Sequence, residues 1–254
     1  MRPFRQWLKG VRVAASPTDG APVQMGRTSL QWALLWVGCS MAARAAPMSG
    51  PAWSVKAVAS VMEDQLSSAA LAAGASGNAA VPACRRMAPE LLLCVQSPYA
   101  PGRVAMMAEV VAAGQSLDGA FATARDQVEA AWARVPARTF SVDGIAGQYY
   151  VRSGGDGFDA AALLRPELLA RLAGGVPVVA VPEDGTVVWW VPGHADFDKM
   201  VAVGVRRMAE ASSAPVSSRI YQHTGTKWST WAEVRGNIGL PAPVPQPPPS
   251  SEDP

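Results

Sequence analysis

Val176-Pro-Val-Val-Ala-Val181, Pro182-Glu-Asp-Gly185 and Thr186-Val-Val-Trp-Trp-Val191 run end to end in this 254-residue chain. The outer segments are rich in Val and Trp, whose branched and aromatic side chains pack well on a pleated surface. The middle segment joins a proline to an Asp-Gly pair, the residues that supply the fixed and positive φ values of a tight turn. Together they predict an antiparallel hairpin. Apolar runs with helical spacing lie on either side. From Phe158 to Leu172, Leu163, Leu164, Leu168, Leu169 and Leu172 fall inward, and Gly174-Gly175 ends the run. From Asp196 to Ala211 a second helix is expected, with Asp196 as N-cap and Arg206-Arg207 near the end that attracts cations.

Further out, Gly147 to Arg152 reads as a strand and Gly154-Gly-Asp-Gly157 as a turn. Ser217–Gln222 and Lys227–Glu233 read as a last strand pair around Thr224-Gly225. The order β-α-β-β-α-β predicts an α+β fold: a mixed or mainly antiparallel sheet with helices packed on one face. Upstream, Leu91–Gln96 is a short strand and Val104–Val111 is helical. Ser116 caps a helix running to Arg134, with Leu117, Ala120, Phe121, Ala124, Val128 and Trp132 along one side. Val55, Val58, Val61, Met62, Leu66 and Leu71 lie near helical spacing, which predicts a loosely tied helix over 53–72. The expected organisation is a linker and N-terminal helix over 46–80, a single α+β domain over 81–239, and a disordered Pro-rich tail over 240–254.

The first 45 residues have a different composition. Arg27 precedes the apolar run Leu30-Gln-Trp-Ala-Leu-Leu-Trp-Val-Gly-Cys-Ser-Met-Ala-Ala43, and the small-x-small triplet Ala43-Arg44-Ala45 follows it. That order is the n-region, h-region and cleavage site of a signal sequence. The run is shorter than the ~20 residues of a transmembrane helix. Met25 offers an alternative start, and Trp36-Val-Gly-Cys39 offers a lipobox with Cys39 as the lipidated residue. The expected location is periplasmic or extracellular, with a lipid-anchored form as the alternative. Contact with a membrane is expected only through the signal or that lipid. Six of the 22 basic residues and one of the 20 acidic residues precede Ala46, leaving 16 basic and 19 acidic. A mildly acidic mature chain has no electrostatic reason to seek nucleic acid. Cys84 and Cys94 are the two cysteines left, an even count that predicts a disulfide in an oxidising compartment.

Gly155-Asp-Gly-Phe-Asp-Ala160, a leucine-rich helix, Val178-Val-Ala-Val-Pro182 and Val187-Val-Trp-Trp190 resemble, in order and spacing, the bacterial YtpQ-like family. Ala112-Ala-Gly-Gln-Ser-Leu117 through Ala124-Arg-Asp-Gln-Val128 resembles its upstream helix, with Asp126 near the family's Asn. The resemblance spans roughly residues 100–220. It implies a fold and no reaction, because the family is a domain of unknown function. Its members look cytosolic, and the export signal departs from that. Glu183-Asp184 departs from the basic residue that often precedes Asp in the family's hairpin.

Few residues suggest chemistry. Asp156 and Asp159 admit two readings: paired carboxylates for a cation or acid–base work, or caps for the following helix. In His194-Ala-Asp196-Phe-Asp198, His and Asp on adjacent turns are too few for a catalytic zinc, so Asp196 as cap and His194 in an exposed loop is the plainer reading. Trp189 and Trp190 are consecutive on a strand and point to opposite faces. One belongs to the core. The other, taken as Trp190, combines with Trp228 and Trp231 into an expected aromatic binding surface, with burial on both sides as the alternative. No nucleophile elbow, P-loop or dinucleotide fingerprint is present, and no catalytic residue, metal or cofactor is assigned. The expected function is a non-enzymatic binding or interaction module of the cell envelope, inhibitor- or immunity-like in one version, whose partner is another protein or an envelope component. A hydrolase using the Asp and His groups of 156–159 and 194–198 is the alternative.

Overall fold

The computed structural model describes residues 11–13, 53–100 and 102–232. Residues 1–45 other than 11–13, with Met25 and Cys39, lie outside the described residues, as do 46–52 and 240–254, so the expected signal, linker and tail fall there.

Among the described residues ten strands form two antiparallel sheets. They are β1 (Val11–Val13), β2 (Ser54–Ala59), β3 (Cys84–Ala88), β4 (Leu91–Gln96), β5 (Arg138–Val142), β6 (Ile145–Arg152), β7 (Val178–Glu183), β8 (Thr186–Trp190), β9 (Ile220–His223) and β10 (Trp228–Thr230). The larger sheet has the order β1-β5-β6-β8-β7-β9-β10, and the smaller has β2-β4-β3. Among the described residues five α-helices complete the α+β fold: α1 (Met62–Ala72), α2 (Met107–Ala112), α3 (Leu117–Arg134), α4 (Pro166–Ala173) and α5 (Ala195–Ala211). The hairpin stands as predicted: Val178 faces Trp190, Val179 faces Trp189, and Gly185 turns the chain with a φ of 80°.

Segment 53–72 differs from expectation. Its first half is β2, paired with β4 from Ser54↔Gln96 to Ala59↔Leu91, and only Met62–Ala72 is helical. The apolar residues fit both periods, and Trp53, Val55 and Ala57 are the alternating set that is buried. Segment 158–172 also divides. A 3-10 turn covers Ala160–Leu164 and α4 begins at Pro166. The cause is local: proline excludes the α conformation from the residue before it, and Arg165 takes φ −133°, ψ 61°. α4 ends at Gly174 in the left-handed region, as expected.

α3 forms as predicted. The Ser116 hydroxyl accepts the Gly119 amide at 3.0 Å, and Ala120, Phe121, Ala124, Val128, Ala131 and Trp132 are buried. α5 has its expected length, but Asp196 is not its cap. His194 occupies that position without a side-chain bond, and Asp196 is exposed. Asp198 is the buried carboxylate there, accepting from Trp190 Nε1 at 2.9 Å and from the Gly193 amide at 3.2 Å.

Helices cover both faces of the larger sheet, not one. On one face α3, α4 and the inner side of β2–β4 pack over Val179, Val181, Val187 and Trp189. On the other, Phe197, Val201 and Val205 of α5 pack over Val178, Val188 and Trp190. The cause is β8, whose five residues are all buried and therefore need apolar neighbours in both directions. A third, smaller cluster joins Val58, Leu92, Cys94 and Val104 beneath Leu66 of α1.

Candidate functional site

The three tryptophans expected to offer a surface do not. Trp190, Trp228 and Trp231 are at most 4% exposed. Trp190 is fixed by Asp198 and packs edge-on against Trp231 at 6.1 Å, while Trp228 Nε1 donates to the Leu163 carbonyl at 3.0 Å. Because the sheet is covered on both sides, consecutive tryptophans both fall in cores. Their roles are packing and hydrogen bonding.

Asp156 and Asp159 converge on a residue that the sequence reading passed over. The Arg152 side chain is wholly buried, and its guanidinium pairs with both carboxylates. Nη2 reaches Asp156 Oδ2 at 2.7 Å, Nη1 reaches Asp156 Oδ1 at 3.1 Å, and Nη1 also donates to Asp159 Oδ1. Nε donates to the Val135 carbonyl at 3.0 Å. The plane lies over the Trp132 ring at 5.1 Å. Asp159 further accepts the Gly154 amide at 2.8 Å and the Gly155 amide at 2.9 Å. It therefore ties back the preceding loop and makes no side-chain cap to the 3-10 turn that follows, so the expected helix cap is not formed. Burial pushes the Asp159 carboxyl above the usual range, against the Gly154 amide and the Arg152 charge. Burial acts on Asp156 too, but its bonds from Arg152 and the Phe158 amide outweigh it and hold this carboxyl below the usual range. The carboxylates are thus engaged in holding a loop. An arginine at the end of a strand, four and seven residues before two aspartates, was the available signal.

Beside this knot is a polar cleft of about 390 Å³ between the two sheets, lined by Lys56, Gln96, Asp156, Asp159 and Asp184 among others. Lys56 Nζ pairs with Asp184 Oδ2 at 2.6 Å and donates to the Gly102 carbonyl at 3.1 Å. Gly157 is required where the sheets meet. Its φ is 77°, its carbonyl accepts the Val55 amide, and a Cβ there would come within 2.7 Å of Gln96 Nε2. His194 does not reach the cleft. Arg152 is opposite Val187 at the start of β8, whereas His194 follows its far end and is exposed. The structure therefore separates the groups on which a hydrolase would depend. Among the described residues no group of three or more His, Cys, Asp or Glu is placed to hold a metal ion.

A second recess, of about 430 Å³, lies between α3 and α4 over β5, β6 and β8. Its wall is aromatic. Tyr150 stacks on Trp189 with centroids 5.4 Å apart and planes at 17°, and Trp132 meets Trp189 at 5.4 Å and 36°. Leu168 and Leu172 of α4 line one side, and Pro136, Ala137 and Thr139 the other. Leu172 is 44% exposed. At the rim, Arg171 Nη2 donates to Glu129 Oε1 at 2.8 Å. Trp132 donates its indole N–H to the Phe158 carbonyl at 3.0 Å. The buried indole N–H of Trp189 has no partner among the described residues. Sequence reading placed Trp132, Leu168 and Leu172 on inward helix faces, yet gave no sign that they share a recess with Tyr150, because that depends on how α3 and α4 cross the sheet.

Cys84 and Cys94 form the expected disulfide, directly opposite each other on β3 and β4 with Cα atoms 4.0 Å apart. None of the described helices is long and apolar enough to cross a membrane. Compared with protein-family models, curated proteins and solved structures, the chain matches none.

Proposed function

We propose that this chain is an exported protein of the cell envelope that acts by binding, and that its binding site is the aromatic recess between α3 and α4. The observation that carries this reading is the wall itself. Trp132, Tyr150 and Trp189 form a contiguous stack of rings, with Leu168 and Leu172 beside it and an Arg–Glu pair at the mouth. Its volume lies within the ~300–1,000 Å³ of ligand pockets, and a mostly apolar wall with a few polar groups is their usual make-up. The ligand is an apolar ring or chain on a partner or envelope component, with a polar end at Arg171.

The signal-like order of residues 27–45 supports export, and the Cys84–Cys94 bridge fits an oxidising compartment. The location is periplasmic or extracellular, with lipid anchoring at Cys39 as the variant form. The binding test is titration with anilinonaphthalene sulfonate, an aromatic anion that matches both wall and rim. One saturable site is expected, lost in Ala133→Trp, which fills the recess from an exposed lining position. Dye binding that Ala133→Trp leaves unchanged refutes the site. Intact-mass measurement on protein from its native envelope tests export: a chain beginning at Ala46 or a lipidated Cys39 supports it, and an uncleaved chain refutes it.

A further inference from the structure

β1 is the outermost strand of the larger sheet. Among the described residues it pairs with β5 alone, antiparallel, as Val11↔Val142, Arg12↔Ser141 and Val13↔Phe140. Both sequence readings of the N-terminus, a start at Met25 and cleavage after Ala45, remove it. β5 would then present its unpaired N–H and C=O groups along one edge, a state that natural sheets cover or fill.

We infer that the β5 edge of the shortened chain pairs with the β5 edge of a second copy, about a two-fold axis at Ser141. This rests on the export reading for its premise that residues 11–13 are absent from the mature protein. The argument is the pattern. β1 offers β5 the triplet apolar–polar–apolar, Val11-Arg12-Val13. β5 contains the same triplet, Phe140-Ser141-Val142. Two copies laid antiparallel about Ser141 place Phe140 of one opposite Val142 of the other. Each therefore stands where a valine of β1 stood, with Ser141 opposite Ser141. Phe140 belongs to the core beneath α5, and Val142 packs against it. Apolar residues opposed across the axis extend that layer from one copy into the next. Directly opposed pairs are the unit of sheet stabilisation. A strand adds its main-chain bonds whatever its source, so the side-chain pattern is what favours a second copy. The contact is isologous and closes at two copies. In the chain that retains residues 11–13, β1 occupies the edge and blocks it.

The experiment compares three chains by sedimentation velocity across a wide concentration range: the full chain, the chain from Met25 and the chain from Ala46. The shortest retains every buried side chain recorded, from Trp53 to Trp231. The full chain is expected to remain monomeric, and the two shorter chains to pass from monomer to dimer. Ser141→Glu in the Ala46 chain opposes two like charges at the axis and is expected to weaken the dimer about fivefold. The same change in the full chain sets Glu opposite Arg12 and leaves it monomeric. Shorter chains that stay monomeric throughout overturn the proposal, as does a dimer that Ser141→Glu does not weaken. A monomer that captures a synthetic peptide of residues 8–16 without self-pairing overturns the choice of a second copy. An uncleaved native chain would remove the export reading and leave the result for the shortened chains standing on its own.

Discussion

Replacing Arg152 by Met should remove a substantial share of the fold's stability. Met keeps much of the side chain's length and none of its charge, so the change removes the guanidinium with its ion pairs and its contact over the Trp132 ring. The loss leaves the Asp159 carboxylate buried at 1% exposure with only the Gly154 and Gly155 amides as partners. It also leaves the Val135 carbonyl without the Arg152 donor and Asp156 without its cation. Breaking a buried pair by removing one member costs about 3–5 kcal/mol, because the remaining charge is uncompensated. For a domain of this size each kcal/mol moves the melting temperature by about 2–4 °C, so a fall of roughly 10 °C is expected. Asp156→Asn is a smaller change. The Asp156 side chain is 28% exposed, so water replaces part of what Arg152 supplied, and about 1 kcal/mol is expected. Asp159→Asn should fall between the two. Urea titration followed by far-ultraviolet circular dichroism gives all three values, and the double variants give the couplings. An Arg152→Met protein within about 1 kcal/mol of the wild type, or an Asp156→Asn as damaging as Asp159→Asn, would refute the reasoning.

Other outcomes follow from single features. Replacing both Cys84 and Cys94 by Ser opens a bridge across a separation of 10 residues, and the loop-entropy relation gives a loss of about 3 kcal/mol; unfolding with and without reductant measures it. Glu109 accepts two bonds of 2.7 Å from Arg103; these outweigh burial, and Ser97 and the Met106 amide assist, so the carboxyl falls to about 2. A depressed carboxylate contributes stability above its ordinary pKa of 4.5 that disappears as the pH falls toward 2, so Glu109→Gln should flatten the stability profile over that interval. At neutral pH that variant should lose about 1 kcal/mol, solvent screening of the half-exposed Arg103 keeping the figure small. Trp228→Ala should act on stability and not on the recess, by about 3–5 kcal/mol, because the ring is buried; melting curves alongside dye titration separate the two effects.

Local signals carried the second half of the chain well. Asp-Gly after proline, Ser before Leu117-Asp118 and paired glycines after a leucine run each act within a few residues, so the hairpin, α3 and the end of α4 were legible. β2 was not. Val55 and Val58 are three apart and suit a helix, and what makes the segment a strand is β4, more than thirty residues away. The division at Pro166 follows from proline chemistry, but the leucine periodicity runs across it and hides it in the sequence. For the site, pairing on a strand showed that Trp189 and Trp190 face opposite ways. It could not show that α5 covers one face while α3 and α4 cover the other, which turned an expected surface into two interiors. Arg152 does not stand out in the sequence because one basic residue among many carries no periodicity; its role is set by the two aspartates that the turn returns to it.

β8 is the fourth of seven strands in the larger sheet, with Val187 and Trp189 in one core cluster and Val188 and Trp190 in the other. Amide hydrogens along this strand are shut in by neighbours on both edges and by a layer on each face. Exposing them to solvent deuterium requires that both layers come apart, and local openings that release α4 or α5 alone leave one side closed. Residues 187–190 should therefore exchange only through global unfolding, at a rate that reports the stability of the whole chain, while α1, with no buried residue of its own, exchanges through cheap local fraying. The consecutive tryptophans thus tie two interiors into one cooperative unit.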